Sequence, residues 1–278
     1  MIETVAFQGV DGAYSHLACQ ELFPQANYLP CTTFDEAFAA VQMGKADFAV
    51  IPIENSNAGR VADVHFLLSK TPLRIIGEHF LRIKHQLLGL KQAALSDIKT
   101  AISHPQALAQ CSNFLQQNNI KAISQNDTAA SCKIIKDQKD NSVAAIASQI
   151  AAQIYDLKIL APNIENSTNN TTRFLIITKQ QSSIENDGSK FITSLIFKTK
   201  NIPSALYSSL GCFAKHDLNL IKIESYILDD KFISAQFYLE IEAHQESIEF
   251  IQALKDLKKT SNEISILGCY KADPDRHL

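Results

Sequence analysis

Short strand-like runs alternate with helical patterns from Thr4 to Asp156. The runs from Val5 to Phe7 and from Phe48 to Ile51 are apolar and strand-like, whereas Thr33 to Met43 has helical spacing. Strands joined by helical crossovers form a sheet whose faces are buried by the helices. The alternation therefore predicts an α/β fold, and a chain of 278 residues, 46% of them hydrophobic, can bury the cores that such a fold needs.

Two extended stretches predict that this α/β part is divided into two lobes. The first runs from Ile75 to Leu90 and is too long for one compact turn, and the second runs from Thr172 to Ile177. Each suits a crossing between lobes, and clefts between lobes are favoured sites for small ligands. We expect one lobe at about residues 1–77 and 160–180 and the other at about residues 78–159.

A polar segment from Gln180 to Lys190 has the composition of a linker, so we place a domain boundary there. It separates an α/β domain at residues 1–180 from a second domain at residues 191–271. The second domain is predicted as strand, helix, strand, strand, helix and strand, at Phe191 to Lys198, Pro203 to His216, Ile221 to Leu228, Ser234 to Glu242, Ser247 to Lys258 and Ile264 to Tyr270. This βαββαβ order is the ferredoxin-like arrangement.

Composition argues against several classes of protein. The formal net charge is -3 and lysine and arginine form no block, so we expect no nucleic-acid partner. Apolar runs fall short of the roughly 20 residues that cross a bilayer, and the amino terminus shows no export signal, so we expect a cytoplasmic protein without membrane contact. The six cysteines form no Cys-x-x-Cys pair and the eight histidines show no ligand spacing, which predicts buried thiols and no metal site.

A glycine-bearing turn follows the first predicted strand. The segment from Phe7 to His16 passes through Gly9 and Gly12 into a helix that opens near Ser15. Such a turn can aim backbone N–H groups at an anion. An ordinary strand-to-helix turn uses the same glycines, so the pattern alone leaves both interpretations open.

A polar cluster, Glu54-Asn55-Ser56, comes directly after a buried strand, where α/β folds present residues to ligands. A carboxylate, an amide and a hydroxyl in consecutive positions can orient a small acid. Asn and Ser also cap helices well, so a helix cap explains the cluster equally.

The segment from Ser103 to Cys111 reads as the start of a helix. Ser103 is the predicted N-cap, a proline lies in the first turn and Gln106 completes a capping box. Capping explains Ser103 without any function. Gln110 lies one turn after Gln106 on the same face, near a terminus that favours anions, so it can face a ligand.

The segment from Asn169 to Phe174 is a polar run that enters the second crossing strand, so its hydroxyls and its guanidinium could line the cleft. An ordinary loop before a strand would look the same. No Ser/His/Asp triad or glutamate pair is evident, so a hydroxyl or a bound carboxylic acid must carry any proton chemistry.

In this order the four segments resemble the prephenate dehydratase family, which carries Gly-x-x-Gly-Ala/Thr-Tyr-Ser, Pro-Ile-Glu-Asn-Ser/Thr, Ser-His-Pro-Gln and Asn-x-Thr-Arg-Phe. The match covers nearly the whole chain, and the C-terminal segment resembles an ACT domain, a small amino-acid-sensing module. The resemblance implies a two-lobed catalytic domain of the type II periplasmic-binding-protein kind. It also implies that prephenate binds between the lobes and becomes phenylpyruvate without cofactor or metal.

The resemblance further implies a monofunctional enzyme, since the catalytic pattern begins within the first ten residues. It assigns Thr172 as the proton donor to the departing ring hydroxyl, and Arg173 with backbone amides as the group that holds carboxylates. The other substrate-binding positions carried over from the family are Gly12, Ala13, Tyr14, Ser15, Glu54, Asn55, Ser56, Ser103, Gln110 and Phe174.

The predicted ACT domain departs from the family at two places. Relatives usually show Gly-Ala-Leu and Glu-Ser-Arg-Pro where phenylalanine is held between subunits. This chain has Ser204-Ala205-Leu206 and Glu224-Ser225, the latter followed by Tyr-Ile. We still expect L-phenylalanine as the effector. We also expect a homodimer or homotetramer, because a ferredoxin-like sheet leaves edges that a second copy can cover.

Two other functions fit the same residues. An arogenate dehydratase, which acts on the amino-acid counterpart of prephenate, would carry every motif above. A non-catalytic solute sensor could join a two-lobed binding fold to an amino-acid-sensing domain. The Thr172-Arg173-Phe174 run argues against the sensor, because a sensor needs no proton donor.

Overall fold

The computed structural model describes residues 2–180, 184–227 and 235–277, which form three β-sheets. The N-terminal elements are β1 (Thr4–Gln8), α1 (Tyr14–Leu22), β2 (Asn27–Cys31), α2 (Phe34–Gln42), β3 (Phe48–Asn55), β4 (Gly59–Arg60), α3 (Ala62–Lys70) and β5 (Arg74–Arg82). β1 lies between β2 and β3 and is parallel to both, as the helical crossovers require. The predicted helix at Thr33 to Met43 is confirmed as α2, which Thr33 caps by accepting from the N–H of Glu36.

The chain then builds a second sheet and returns to the first. Its elements are β6 (Gln86–Gly89), β7 (Thr100–Ser103), α4 (Pro105–Gln110), α5 (Ser112–Gln117), β8 (Lys121–Ser124), α6 (Thr128–Gln138), β9 (Val143–Ala147), α7 (Gln149–Ile154), β10 (Lys158–Ala161) and β11 (Thr171–Thr178). The second sheet has the order β10-β6-β9-β7-β8, and β11 lies in the first sheet between β3 and β5, antiparallel to both. The expected periplasmic-binding-protein-like class is confirmed.

The two sheets are joined a few residues later than the sequence predicted. β5 pairs with β11 as far as Arg82, so the predicted boundary at residues 77 and 78 falls inside a strand of the first sheet. β10 keeps Ala161 paired with Leu87 in the second sheet. The connections therefore run through residues 83–85 and 162–170. Strand pairing, which sequence alone does not give, sets these limits.

The third sheet belongs to the C-terminal domain. Its elements are β12 (Phe191–Thr199), α8 (Ala205–Ala214), β13 (Leu220–Ile227), β14 (Ala235–Ile241), α9 (Ile248–Thr260) and β15 (Ser261–Lys271), with the strand order β13-β14-β12-β15. The predicted βαββαβ order is confirmed. The predicted strand ends at Leu228 and Ser234, and linker residues 181–183, lie outside the described residues.

The first sheet is covered on both faces. α1 packs on one face against Phe7 and Phe174. On the other face α2, α3 and the third sheet share a core that includes Tyr238 and Tyr270. The third sheet approaches so closely that a Cβ built on Gly268 would lie 1.9 Å from the carbonyl oxygen of Ile75. The C-terminal domain is therefore packed directly against β5 of the first sheet.

All six cysteines lie in the described part of the chain, where they are buried and unpaired, as predicted. Within residues 2–180, 184–227 and 235–277, no helix is long and apolar enough to cross a membrane. In the same ranges, no group of three or more histidine, cysteine or acidic side chains is placed to hold a metal ion.

Candidate active site

A cleft of about 280 Å³ lies between the first and second sheets, and each of the four sequence segments contributes to it. Six of the predicted site residues line it: Tyr14, Ser15, Asn55, Gln110, Thr172 and Phe174. They come together because α1 and β11 belong to the first lobe, whereas α4 faces them from the second. The sequence thus predicted a cleft that the structure contains.

Thr172 presents a hydroxyl to the cleft. It pairs with Asn55 across β11 and β3, and the Nδ2 of Asn55 donates to Thr172 Oγ1 at 2.9 Å. Among the described residues, Thr172 Oγ1 donates to no acceptor, although its side chain lines the cleft. Because the oxygen accepts rather than donates, the hydroxyl proton can point toward a bound molecule.

Asn55 is fixed by bonds on both sides of its amide. Its Oδ1 accepts from the backbone N–H groups of Asn57 and Ala58 at 3.0 and 2.9 Å, which forms a turn between β3 and β4. Its Nδ2 also donates to Asn170 Oδ1 at 2.8 Å. No helix begins at Asn55, so a helix cap is the wrong interpretation of this residue.

A chain of polar side chains connects Asn55 to the second lobe. Asn170 Nδ2 donates to Gln110 Oε1 at 3.0 Å, and His85 Nε2 lies 2.8 Å from the same oxygen. On the other side of the ring, His85 Nδ1 lies 2.7 Å from the Tyr14 hydroxyl. An amide oxygen can only accept, so the His85 proton is on Nε2 and Nδ1 is an acceptor. The Tyr14 hydroxyl can donate to this Nδ1 or to the carbonyl oxygen of Lys84, which lies 3.0 Å away.

The pKa shifts agree with this arrangement. Burial lowers the pKa of His85, with the Gln110 hydrogen bond opposing the shift, so the ring is neutral at pH 7. Burial raises the pKa of Tyr14 well above its ordinary value, so the phenol keeps its proton. The polar chain that ends at Thr172 is therefore uncharged from Tyr14 to Asn55.

Arg173 does not face the cleft, which contradicts its expected contact with substrate carboxylates. Successive side chains of a strand point to opposite faces, so Thr172 and Arg173 cannot share one. Arg173 is 2% exposed and its guanidinium contacts Glu54 at 2.9 Å, Glu78 at 2.7 Å and Glu240 at 2.9 Å. Burial alone would lower the pKa of Arg173, but Glu240 and its neighbours raise it. Arg173 therefore joins the first sheet to the C-terminal domain.

Glu54 lies on the same side as Arg173 because β3 contains a bulge. Arg173 pairs with Glu54, whereas Phe174 pairs with Pro52, so Ile53 is the extra residue that turns Glu54 away from the cleft. Lys222 of β13 also contacts Glu54. The expected substrate contact of Glu54 is thus contradicted. Both Glu54 and Arg173 border a separate cavity of about 630 Å³ behind the strands, which Thr172 does not line.

The side chains of Ser103 and Ser56 form hydrogen bonds to the backbone and do not line the cleft. Ser103 is fully buried at the end of β7, and its hydroxyl donates to the carbonyl of Ile146 at 2.6 Å. The N-cap of α4 is His104, whose Nδ1 accepts from the N–H of Gln106, so the predicted capping box is wrong. Ser56 Oγ accepts from the backbone N–H of Thr171 at 3.0 Å and fastens the loop before β11.

The glycine turn positions α1 rather than lining the cleft. Gly12 has φ of +90° and its N–H donates to His16 Nδ1 at 3.1 Å. A Cβ at this position would lie 3.0 Å from the Cα of Ala151 in α7, so only glycine fits between the lobes. Ala13 is the N-cap residue of α1 and is almost fully buried.

Sequence reasoning missed His85 and Asn170, which complete the polar chain. His85 lies in the connection between β5 and β6, where the run Lys-His-Gln interrupts two apolar strands. Asn170 is the second asparagine of the fourth segment and is 2% exposed. Polar residues at a predicted crossing between lobes were the available signal.

The expected effector segments lie on different elements of the C-terminal domain. Ser204 precedes α8 with φ of +64°, a left-handed conformation that glycine adopts more readily than serine. Glu224 lies on β13, which β14 separates from β12. Its carboxylate lies 2.9 Å from the guanidinium of Arg60 in the catalytic domain, and Ser225 is exposed. Ala205 and Leu206 begin α8, and Leu206 packs on the domain core.

Comparison with known families decides where this site belongs. The family model for prephenate dehydratase matches residues 5–182, which is more than half of the chain. The chain belongs to the prephenate dehydratase family. The matched range holds all four segments of the cleft, and the family assignment makes the chain an enzyme rather than a non-catalytic sensor.

Similar proteins extend over the whole chain. A bifunctional N-acyl-homoserine lactone acylase/prephenate dehydratase of Komagataeibacter europaeus is 39% identical over 272 residues, 98% of this chain and 97% of the relative. Arogenate dehydratase/prephenate dehydratase 1 of Arabidopsis thaliana is 38% identical over 283 residues, 97% of this chain and 72% of the relative. The structure of prephenate dehydratase from Arthrobacter aurescens in complex with L-Phe is 28% identical, with TM-score 0.88 over 99% of this chain and 91% of that chain.

Proposed function

We propose that this chain converts prephenate into phenylpyruvate, carbon dioxide and water, with Thr172 as the proton donor. The observation that carries the proposal is the Thr172 hydroxyl, which lines the cleft, accepts from the Asn55 amide and has no acceptor for its own proton among the described residues. Prephenate loses its ring carboxylate as carbon dioxide, and the bonding electrons enter the ring. They expel hydroxide from the opposite ring carbon, and the Thr172 proton converts it into water. The threonine alkoxide then takes a proton from solvent, which restores the donor.

The reaction requires the protein mainly to orient the substrate and to supply one proton. The gain of an aromatic ring drives both bond cleavages, so the cleft must hold the substrate and protonate the departing oxygen. The neutral chain from Tyr14 to Asn55 suits this task, because it fixes the donor without placing a competing charge beside it.

We assign prephenate rather than arogenate as the substrate. The two differ at one carbon, where prephenate has a keto group and arogenate an ammonium. None of the described residues that line the cleft is acidic, so an ammonium would be desolvated there without an ionic partner. A keto group needs only a hydrogen-bond donor.

We do not extend acylase activity to this chain. Hydrolysis of an amide by a hydroxyl nucleophile requires a base in contact with that hydroxyl. Among the described residues, His85 contacts Tyr14 and Gln110, and neither Ser15 nor Thr172 donates to a histidine or a carboxylate.

The C-terminal domain is the proposed binding site for L-phenylalanine as a feedback inhibitor, in a homodimer or homotetramer. The support is the ferredoxin-like fold and the complex of the Arthrobacter aurescens relative with L-Phe. L-phenylalanine should raise the melting temperature of this protein and lower its activity, whereas L-alanine should change neither. Light scattering measures the molar mass in solution, which distinguishes a monomer, a homodimer and a homotetramer.

The first test compares turnover of prephenate, arogenate and an N-acyl-homoserine lactone by the wild-type protein and two variants. Thr172→Val should lower kcat by about 100-fold or more, the usual share of a general acid, with KM nearly unchanged. Thr172→Ser keeps a hydroxyl and should retain most activity. Near-normal kcat in Thr172→Val would contradict the proton-donor assignment, and dominant turnover of either other substrate would contradict the proposed reaction.

A further inference from the structure

One cation borders the cleft. With Arg173 buried behind β11, Arg60 is the single lysine or arginine among the described residues that line it. Arg60 ends the short strand β4, beside Glu54 of β3, and its side chain is 48% exposed. Prephenate carries two carboxylates, and a guanidinium is the side chain that best matches a carboxylate geometrically.

The same guanidinium contacts the C-terminal domain. Arg60 Nη1 donates to Glu224 Oε2 at 2.9 Å, and this is its one hydrogen bond to the described residues. Glu224 belongs to the Glu-Ser segment that resembles the effector motif of relatives. A guanidinium has five N–H donors, so a single bond to Glu224 leaves donors for a second carboxylate.

Glu224 can release Arg60 without becoming an isolated charge. Its other oxygen, Oε1, lies 3.6 Å from Lys222 Nζ, and Lys222 in turn contacts Glu54 of the catalytic domain. A carboxylate with a second cation nearby can exchange partners at lower free-energy cost than one that would be left unpaired. Arg60 therefore has two competing partners, one in the C-terminal domain and one in the cleft.

We propose that Arg60 binds a substrate carboxylate and that Glu224 competes for the same guanidinium, so that the C-terminal domain sets substrate affinity through one shared side chain. This inference rests on the proposed function, because it takes the cleft as the prephenate site. It assigns to Arg60 the role that the sequence had given to Arg173, and it gives Glu224 a contact with the catalytic domain in place of an isolated effector role.

The test measures KM and kcat of Arg60→Gln, Glu224→Gln and the double variant with prephenate. Arg60→Gln should raise KM by about 10- to 100-fold with kcat within threefold, the pattern of lost ground-state binding. Glu224→Gln should lower KM by about two- to fivefold and should have no effect when Arg60 is already Gln. Arg82→Gln is the matched control, since Arg82 is an exposed arginine of β5 that does not line the cleft.

Two outcomes overturn the inference: a wild-type KM in Arg60→Gln, or a Glu224→Gln effect of equal size with and without Arg60. Both residues are partly exposed, so the variants should fold, which the melting temperature checks. If the wild type turns over neither prephenate nor arogenate, calorimetry gives the Kd for prephenate instead. A Kd raised only by Arg60→Gln would then support the carboxylate site while the proposed reaction fails.

Discussion

Replacing Asn55 with aspartate should disable the Thr172 hydroxyl while keeping the shape of the site. The change converts the Nδ2 donor, 2.9 Å from Thr172 Oγ1 and 2.8 Å from Asn170 Oδ1, into a carboxylate oxygen. The Oδ1 that accepts from the turn N–H groups is retained, so the turn should persist. Thr172 would then donate its proton to the carboxylate instead of keeping it for the departing oxygen.

The size of the effect follows from the new hydrogen bond. A hydroxyl that donates to a carboxylate is stabilised by about 1.5–3 kcal/mol, and this bond must be broken before Thr172 can donate elsewhere. Since each 1.36 kcal/mol added to the barrier is about tenfold in rate, kcat should fall by roughly 10- to 150-fold. The new carboxylate would also repel Asn170 Oδ1. The Asn170 amide can remove this repulsion only by rotating, which breaks its hydrogen bond to Gln110.

Steady-state kinetics of Asn55→Asp and Asn57→Asp with prephenate would test this. Asn57 is exposed two residues away, so Asn57→Asp adds the same charge near the cleft without touching Thr172. Both variants can raise KM by repelling an anionic substrate, whereas only Asn55→Asp should lower kcat. A kcat for Asn55→Asp within threefold of that for Asn57→Asp would refute the role of the Asn55 amide.

Three further results are expected. Arg173→Met should lower the free energy of unfolding in urea by about 3 kcal/mol, the lower end for a broken buried ion pair, because Glu78 and Glu240 lose one cation and keep Arg276; a loss below 1 kcal/mol would contradict this. Ser204→Gly should raise it by about 0.5–1 kcal/mol by relieving a left-handed φ, and a loss would show that the serine side chain matters. Burial lowers the pKa of His16, His65 and His85 below 6.5. The unfolded chain therefore binds protons at these histidines more readily than the folded protein does. Stability should therefore be full above about pH 6.5 and fall as pH drops below it, and equal stability at pH 7.5 and 5.5 would refute this.

The sequence located the cleft but not which side of each strand faces it. Thr172 and Arg173 were both expected to contact substrate, although adjacent residues of a strand point to opposite faces. That rule alone would have separated them. The bulge at Ile53, which turns Glu54 to the side of Arg173, could not be derived in the same way, because it depends on the pairing of β3 with β11.

Buried hydrogen-bonding groups explain the other differences between the sequence-based predictions and the structure. Ser103 looked like a helix cap because serine caps well, yet it lies inside the second sheet, where its hydroxyl must find a carbonyl. His85 looked like one polar residue in a connecting segment, and its role depends on Tyr14 and Gln110, which lie 71 and 25 residues away. Local patterns predict elements well, whereas such partners depend on the assembled fold.

β11 explains why the catalytic and C-terminal domains are parts of one unit. One face of this strand presents Thr172 to the cleft, and the other presents Arg173 to Glu240 of β14. A chain cut after β11 would expose Leu175 and Ile177, both fully buried here, and would deprive Arg173 of Glu240. A displacement of the third sheet would therefore act directly on the strand that carries Thr172, the proposed proton donor.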